Sequence, residues 1–151
     1  MSTGVIDLPR LVIEHTADAV IFADRDGMIR LWNAAAEALF GFPRAAAIGQ
    51  RLDLIIPERL RAAHWEAFHR AVASGRTRLG GRPMITRSVN AAGATIYVEM
   101  SFALVCDDDG AVLGSVAVAR DATQRREEER KLQQRISALE APSRPPAPAP
   151  E

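Results

Sequence analysis

The sequence predicts an α+β fold, in which a five-stranded antiparallel sheet carries helices packed on one face. Five short segments rich in β-branched and aromatic residues form a group of two and a group of three, with helical segments between them. Turn sequences rich in Asp, Asn and Gly separate the strands within each group, which is typical of antiparallel hairpins. With 151 residues, the chain has room for one such domain and a tail.

The first hairpin and two short helices are predicted from the first third of the chain. In AVIFADRDGMIRLWN the apolar runs 19–23 and 28–32 flank the turn sequence DRDG. The alanine-rich stretch NAAAEALFGF then favours a short helix that ends at Gly41 and Pro43. A second short helix is predicted over residues 44–48, because a glycine follows it.

The segment IPERLRAAHWEAFHRAVASG predicts one long amphipathic helix. On a helical projection its inward face covers about a third of the circumference, with His64 near the middle. That face consists of Leu60, His64, Ala67, Phe68, Ala71 and Val72. We therefore expect His64 to point inward and His69, on the opposite side, to be exposed.

The last three strands are predicted from RPMITRSV, TIYVEMSFALV and AVLGSVAVAR, which the turn sequences NAAG and DDDG separate. The middle strand has the clearest two-residue alternation. Its apolar face consists of Ile96, Val98, Met100, Phe102 and Leu104.

A charged helix is predicted over residues 124–140. Its few apolar residues are spaced four and three apart, which suits pairing with another helix. These residues are Leu132, Ile136 and Leu139. A solvated helix that caps the sheet is an equally good interpretation of its many charges. We expect an N-terminal segment over residues 1–11, a domain over 12–123, and a disordered proline-rich tail over 141–151. The pattern leaves open whether the first dozen residues form a helix.

Charge and cysteine content exclude several classes of protein. Nineteen basic residues balance 19 acidic residues, so no net charge attracts nucleic acid or an anionic membrane. Cys106 is the one cysteine, which excludes an intramolecular disulfide. Without a signal peptide pattern or a long apolar run, we expect a cytoplasmic protein with no membrane segment.

Two stretches resemble the PAS domain family, the small sensory module of bacterial signalling proteins. These are IEHTADAVIFADRDGMIRLWNAAAEALFGFPRAAAIGQ, with Asn33 and the Gly41-Phe42 pair, and the closing RDAT, which is similar to the Asp-x-Thr before a signalling helix. The resemblance covers residues 10–123 and implies the PAS fold. Members of the family bind haem, flavins or small acids, or only other proteins, so the resemblance leaves the ligand open.

The stretch IPERLRAAH resembles the haem-binding oxygen-sensor subclass, in which a histidine on the long helix holds haem b. The resemblance implies that His64, flanked by Phe68, is the ligand to the haem iron. It also places Arg70 and Arg78 where that subclass has partners for the haem propionates. The alternatives are a core histidine satisfied by protein groups and two solvated arginines.

The distal side of such a haem pocket is predicted from the strands opposite the long helix. The resemblance places the distal residue near GRPM, so Arg82 and Met84 are both candidates, and it places Met100 and Phe102 in the pocket wall. Met84 or Met100 could supply a sixth ligand through its thioether, whereas Arg82 could donate hydrogen bonds. Ordinary core filling is the alternative for either methionine.

Flavin photochemistry and enzymatic activity are not expected. The light-sensing flavin subclass carries an Asn-Cys-Arg-Phe stretch, but the corresponding GQRLDLIIPER has no cysteine.

The chain also has no nucleophile motif, no paired carboxylates in a defined setting and no glycine-rich phosphate loop.

The sequence therefore predicts a stand-alone PAS sensor, with haem b on His64 detecting a diatomic gas or a redox state. We expect it to signal through the C-terminal helix. Its partner would be a second copy, bound through the sheet face or the helices, or else a histidine kinase or another signalling protein. The alternative is a ligand-free PAS domain that dimerises or acts as an adaptor for a signalling partner.

Overall fold

The computed structural model describes residues 4–142. It contains five strands, five α-helices and one 3₁₀ turn at Leu52–Ile55. The strands are β1 Ala19–Asp24, β2 Ile29–Trp32, β3 Met84–Val89, β4 Thr95–Cys106 and β5 Val112–Asp121. The helices are α1 Leu8–His15, α2 Ala34–Phe40, α3 Arg44–Ala47, α4 Glu58–Ser74 and α5 Thr123–Glu140. The predicted disordered tail lies almost wholly outside the described residues.

The strands form one antiparallel sheet in the order β2-β1-β5-β4-β3. The predicted five-stranded sheet is therefore confirmed, together with the predicted order of elements. In β4 the predicted apolar face contains the buried residues Val98 and Met100, whereas the exposed residues Thr95 and Ala103 lie on the other face. The core lies between this face of the sheet and the helices.

Asn33 joins the first hairpin to two helices through a fully satisfied side chain. Its oxygen accepts hydrogen bonds from the backbone N–H of Val20 at 2.9 Å and of Ala36 at 3.0 Å, and so caps α2. Its amide nitrogen donates to the carbonyls of Ile13 at 2.9 Å and Asp18 at 3.0 Å. Because the residue is 1% exposed, these four bonds fix the position of α1 and α2 on the sheet.

Two features differ from the sequence interpretation. A helix, α1, begins at Leu8 after the N-cap Asp7 and crosses the expected boundary between residues 11 and 12. In α4, Phe68 is the buried residue, while Ala67, predicted to face inward, is exposed. The inward face is rotated toward Trp65, which is half-buried, so Phe68 rather than His64 lies at its centre.

The C-terminal helix α5 is attached to β4 through its first residues. The N–H of Ala122 donates to the carbonyl of Tyr97 at 2.8 Å, and the N–H of Tyr97 donates to the hydroxyl of Thr123 at 3.1 Å. Arg125 pairs with Glu99 on the same strand at 3.3 Å. No helix within residues 4–142 is long and apolar enough to cross a membrane.

Candidate functional site

The candidate site lies between α4 and the sheet. Helix α4 begins after Pro57 and ends at Gly75, whose left-handed backbone conformation terminates it. Of its 17 residues only Phe68 is buried. The other residues of its inward face are half-buried, namely Leu60, His64, Trp65, Ala71 and Val72. The helix is therefore lightly packed for an element that covers a sheet.

His64 lies on this inward face among aromatic rings. Its ring stacks on Phe68 with centroids 6.0 Å apart and meets Trp65 edge-on at 5.0 Å. Its Nδ1 atom is buried and has no hydrogen-bond partner among the described residues. An unpaired buried nitrogen of this kind costs about 1–3 kcal/mol, so a ligand that binds it would recover that energy.

The protonation state of His64 follows from its surroundings. Burial lowers the pKa of His64, and the nearby His69 lowers it further, whereas the charge of Asp53 opposes the shift. The imidazole is therefore neutral near pH 7, which is the form that binds metal ions. His69 is exposed, as the sequence predicted.

Trp65, which the sequence analysis did not identify, anchors α4 to the first hairpin. Its Nε1–H donates to Asp53 Oδ1 at 2.8 Å, and the Arg51 guanidinium lies 4.4 Å from the ring centroid. On the β1–β2 turn, a Cβ atom at Gly27 would lie 2.1 Å from Cη2 of this indole. The sequence could have revealed it through an inward stripe of the same width, rotated by about 20° so that it includes Trp65 in place of Ala67.

On the sheet, the structure brings Met84 and Met100 together. The two residues are direct neighbours across β3 and β4, and Phe102 follows two residues later on the same face. Met100 is 6% exposed and belongs to the core, whereas Met84 is 42% exposed and Phe102 is half-buried. The margin of the sheet near Met84 is therefore open to solvent.

The three predicted arginines lie on the surface. Arg70 pairs with Glu66 one helical turn earlier at 2.7 Å, on the exposed side of α4. Arg78 and Arg82 are exposed in the loop between α4 and β3, and Arg82 Nε donates to the Leu79 carbonyl at 3.4 Å. The structure does not bring them together with His64, so their contact with propionates stays a prediction.

The chemistry of the residues around His64 suits haem, but the packing between α4 and the sheet limits the space for it. A neutral imidazole with an unpaired nitrogen in an aromatic setting suits an axial ligand to iron. Phe68, Val98 and Met100, however, already form one buried cluster between α4 and the sheet. The surface has a groove along α5 and another beside Pro57, and His64 lines neither. Room for a macrocycle would therefore require α4 to move away from the sheet.

Comparison with known proteins identifies the family. Residues 13–127 match the family model described as the PAS fold. The chain belongs to this family. A PAS domain is a sensory module of signal transduction proteins, and the predicted resemblance is thus confirmed.

The relatives of this PAS domain include sensor proteins, one of which is described as an oxygen sensor. The chain is 28% identical over 130 residues to the sensor protein FixL of Bradyrhizobium diazoefficiens, covering 86% of this chain and 25% of that protein. It is 26% identical over 133 residues to the oxygen sensor protein DosP of Escherichia coli, covering 88% of this chain and 16% of that protein. The chain thus spans a quarter or less of the length of these relatives.

A solved PAS domain has the same fold. The PAS domain of a protein from Colwellia psychrerythraea superposes with a TM-score of 0.68 at 20% identity, covering 78% of this chain and 96% of that one. At this identity the likeness establishes the fold alone. The choice of ligand therefore depends on the residues at α4 and β4.

Proposed function

We propose that this PAS domain senses a ligand between α4 and the sheet, with haem b attached through His64 as its concrete form. The observation that carries the proposal is the neutral imidazole of His64, whose buried Nδ1 has no partner in the described residues. One relative, DosP, is described as an oxygen sensor, which supports the detection of a diatomic gas. Bound haem would supply an iron atom that binds a diatomic gas or changes its oxidation state.

The chain would hold the haem through residues on both sides of the space. His64 would bind the iron from α4, with Phe68 beside the macrocycle and Met100 and Phe102 in the facing wall. Met84 or Met100 is the candidate sixth ligand. The candidate partners for the propionates are Arg70, Arg78 and Arg82.

The light packing of α4 limits the energetic cost of ligand entry. An outward movement of its C-terminal half would uncover one buried residue, Phe68, at a cost of about 1.5–3 kcal/mol, together with part of the half-buried Ala71 and Val72. Trp65 meanwhile keeps the N-terminal half fixed to Asp53 and Gly27. The helix would therefore open around Trp65 rather than detach.

Residues close to Met100 on β4 are bonded directly to the start of α5. Tyr97, three residues before Met100 on β4, bonds through its backbone to Ala122 and Thr123. Glu99, the residue directly before Met100, pairs with Arg125 of α5. A shift of β4 on ligand binding would therefore alter the two attachments of α5, and the signal would be a change in the population of α5 orientations.

An absorption spectrum tests the haem proposal. We expect the protein, expressed with haem supply, to show a Soret band that is lost in His64→Ala. The matched control is His69→Ala, which removes the exposed histidine of the same helix and should retain the band. A protein that stays colourless after reconstitution with haem would contradict the proposal.

The second candidate function is a ligand-free PAS domain that dimerises or docks on a signalling protein. The observation that favours it is the exposure of the apolar residues of α5. Leu132 is 56%, Ile136 46% and Leu139 85% exposed. If this function is correct, Leu132→Asp together with Ile136→Asp should turn a dimer into a monomer on a sizing column, without any change in haem content. A monomeric parent protein that binds haem would favour the first candidate.

A further inference from the structure

The outer edge of β4 is only half covered by β3. Strand β4 runs from Thr95 to Cys106, but β3 pairs with it only as far as Met100. Residues 101–106 have β5 on one side and, within the described residues, no backbone partner on the other. We call residues 101–106 the free edge.

The sequence before β3 explains why the edge is uncovered. The chain turns back at Gly80 and Gly81, which both have a positive φ, and the N–H of Arg82 donates to the Leu79 carbonyl at 3.1 Å. The Arg82 N–H is therefore not available for a hydrogen bond to the carbonyl of Phe102 on β4. Pro83 has no N–H to offer. The strand therefore cannot extend along β4 before Met84.

The free edge presents backbone groups of alternate residues. Tyr97 directs its N–H and carbonyl toward Thr123 and Ala122, on the β5 side of β4. The carbonyl of Ala94 accepts from Asn90 on the β3 side. Because direction alternates along a strand, even-numbered residues point toward the free edge. The unpaired N–H and carbonyl groups are those of Phe102, Leu104 and Cys106.

The composition and surroundings of the free edge favour pairing with another copy of itself. Its sequence, SFALVC, has no charge and no proline, so it lacks two of the features by which edge strands avoid pairing; the register with β5 shifts only at its end, between Val105 and Cys106. Arg82 lies at one end, and the turn residues Asp108 and Asp109 follow the other end. None of these three side chains has a salt-bridge partner within residues 4–142.

We propose that the free edge binds the free edge of a second copy, in antiparallel register about a two-fold axis at Leu104. Phe102 of each copy then lies opposite Cys106 of the other, and the pairing forms about six backbone hydrogen bonds. The antiparallel arrangement brings Asp108 and Asp109 of one copy to Arg82 of the other. The interface is isologous, so each of these contacts occurs twice.

The pairing also changes the candidate ligand site. A two-fold axis perpendicular to the sheet places the core-facing sides of both copies on the same side. Phe102 and Leu104 of the second copy would then extend the apolar face beside Met84 and Phe102, where the sheet margin is open. The interface requires neither haem nor the pairing of α5, and it is tested on haem-free protein, so its outcome is separate from that of the haem proposal.

Sedimentation velocity over a range of concentrations tests the proposal. We expect a monomer–dimer equilibrium that Arg82→Glu weakens about tenfold, because the contacts of Arg82 with Asp108 and Asp109, which occur twice in the dimer, become repulsive. Combining Arg82→Glu with Asp108→Arg should restore the dimer. The matched control Arg59→Glu makes the same charge change on the exposed side of α4 and should leave the equilibrium unchanged.

A proline substitution tests the direction of the backbone groups. Leu104→Pro removes an N–H that points to the free edge, so it should abolish the dimer and leave a folded monomer with unchanged tryptophan fluorescence. Ala103→Pro removes an N–H bonded to β5 and should lower the melting temperature strongly. The proposal is overturned if the protein is monomeric up to about 1 mM, or if the dimer is insensitive to Arg82→Glu and is disrupted only by changes in α5.

Discussion

The contact between Gly27 and Trp65 predicts an unusually large cost for one small substitution. Gly27 has a φ of +77°, and a Cβ added there would lie 2.1 Å from Cη2 and 2.2 Å from Cζ3 of Trp65. Gly27→Ala therefore has two costs, the strain of a left-handed alanine and the displacement of the indole. The first costs about 1–2 kcal/mol, and forced overpacking adds about 1–3 kcal/mol.

The second cost includes specific contacts of the indole. Moving Trp65 would stretch its 2.8 Å bond to Asp53 and withdraw the ring from Arg51. A hydrogen bond to a carboxylate contributes about 1.5–3 kcal/mol and an exposed cation–π contact about 0.5–1 kcal/mol. We expect Gly27→Ala to lower the free energy of unfolding by about 3–4 kcal/mol, taking partial relaxation of these contacts into account.

Urea denaturation followed by circular dichroism measures this cost. The matched control is Gly93→Ala, since Gly93 has a φ of +76° and no heavy atom within 4 Å of its added Cβ. The control should show the backbone strain alone, about 1–2 kcal/mol. In a Trp65→Ala background, Gly27→Ala should fall to the same value. Equal losses for Gly27→Ala and Gly93→Ala in the parent protein would refute the anchoring role of Trp65.

Three further predictions concern Asn33, His64 and Thr123. Asn33→Ala should lower the free energy of unfolding by about 3–4 kcal/mol in urea denaturation, because it leaves buried backbone groups unpaired; a loss below about 1 kcal/mol would contradict this. Because burial lowers the pKa of His64, the unfolded state binds its proton more readily, so stability should fall as the pH drops below about 6.5. His64→Leu should flatten that dependence between pH 7.5 and 5.5, and an unchanged slope would argue against it. Thr123→Ala removes the acceptor for the Tyr97 N–H and should speed amide hydrogen exchange at Tyr97 and in the first turn of α5, with unchanged exchange in β1 as the internal control.

The sheet could be predicted from the sequence because its signals are local. The alternation along β4 and the hairpin turns depend on neighbouring residues, so the strands were placed within a residue or two. The inward position of His64 followed in the same way from helical periodicity. These predictions needed no knowledge of distant contacts.

The details of the site depend on contacts between distant segments. The rotation of α4 toward Trp65 follows from Gly27 and Asp53, which belong to other elements. The burial of Phe68 in the same core cluster as Val98 and Met100 decides the space available to a ligand, and no local sequence pattern predicts it. The sequence pattern does not decide whether α1 forms, because its signals are brief: a capping Asp7 and a proline near the start.

In the part of the chain that the structure describes, helix α5 is attached to the sheet at one end only, so a small tilt at that end moves the other end far. Within the described residues its bonds to the sheet involve residues 122–125, and from Gln124 to Glu140 every residue is exposed. An α-helix rises about 1.5 Å per residue, so 18 residues extend about 27 Å from this attachment. A tilt of about 10° at Tyr97 would carry the far end through about 5 Å. A small change of angle at the attachment would therefore move the far end of the helix by about one helical turn.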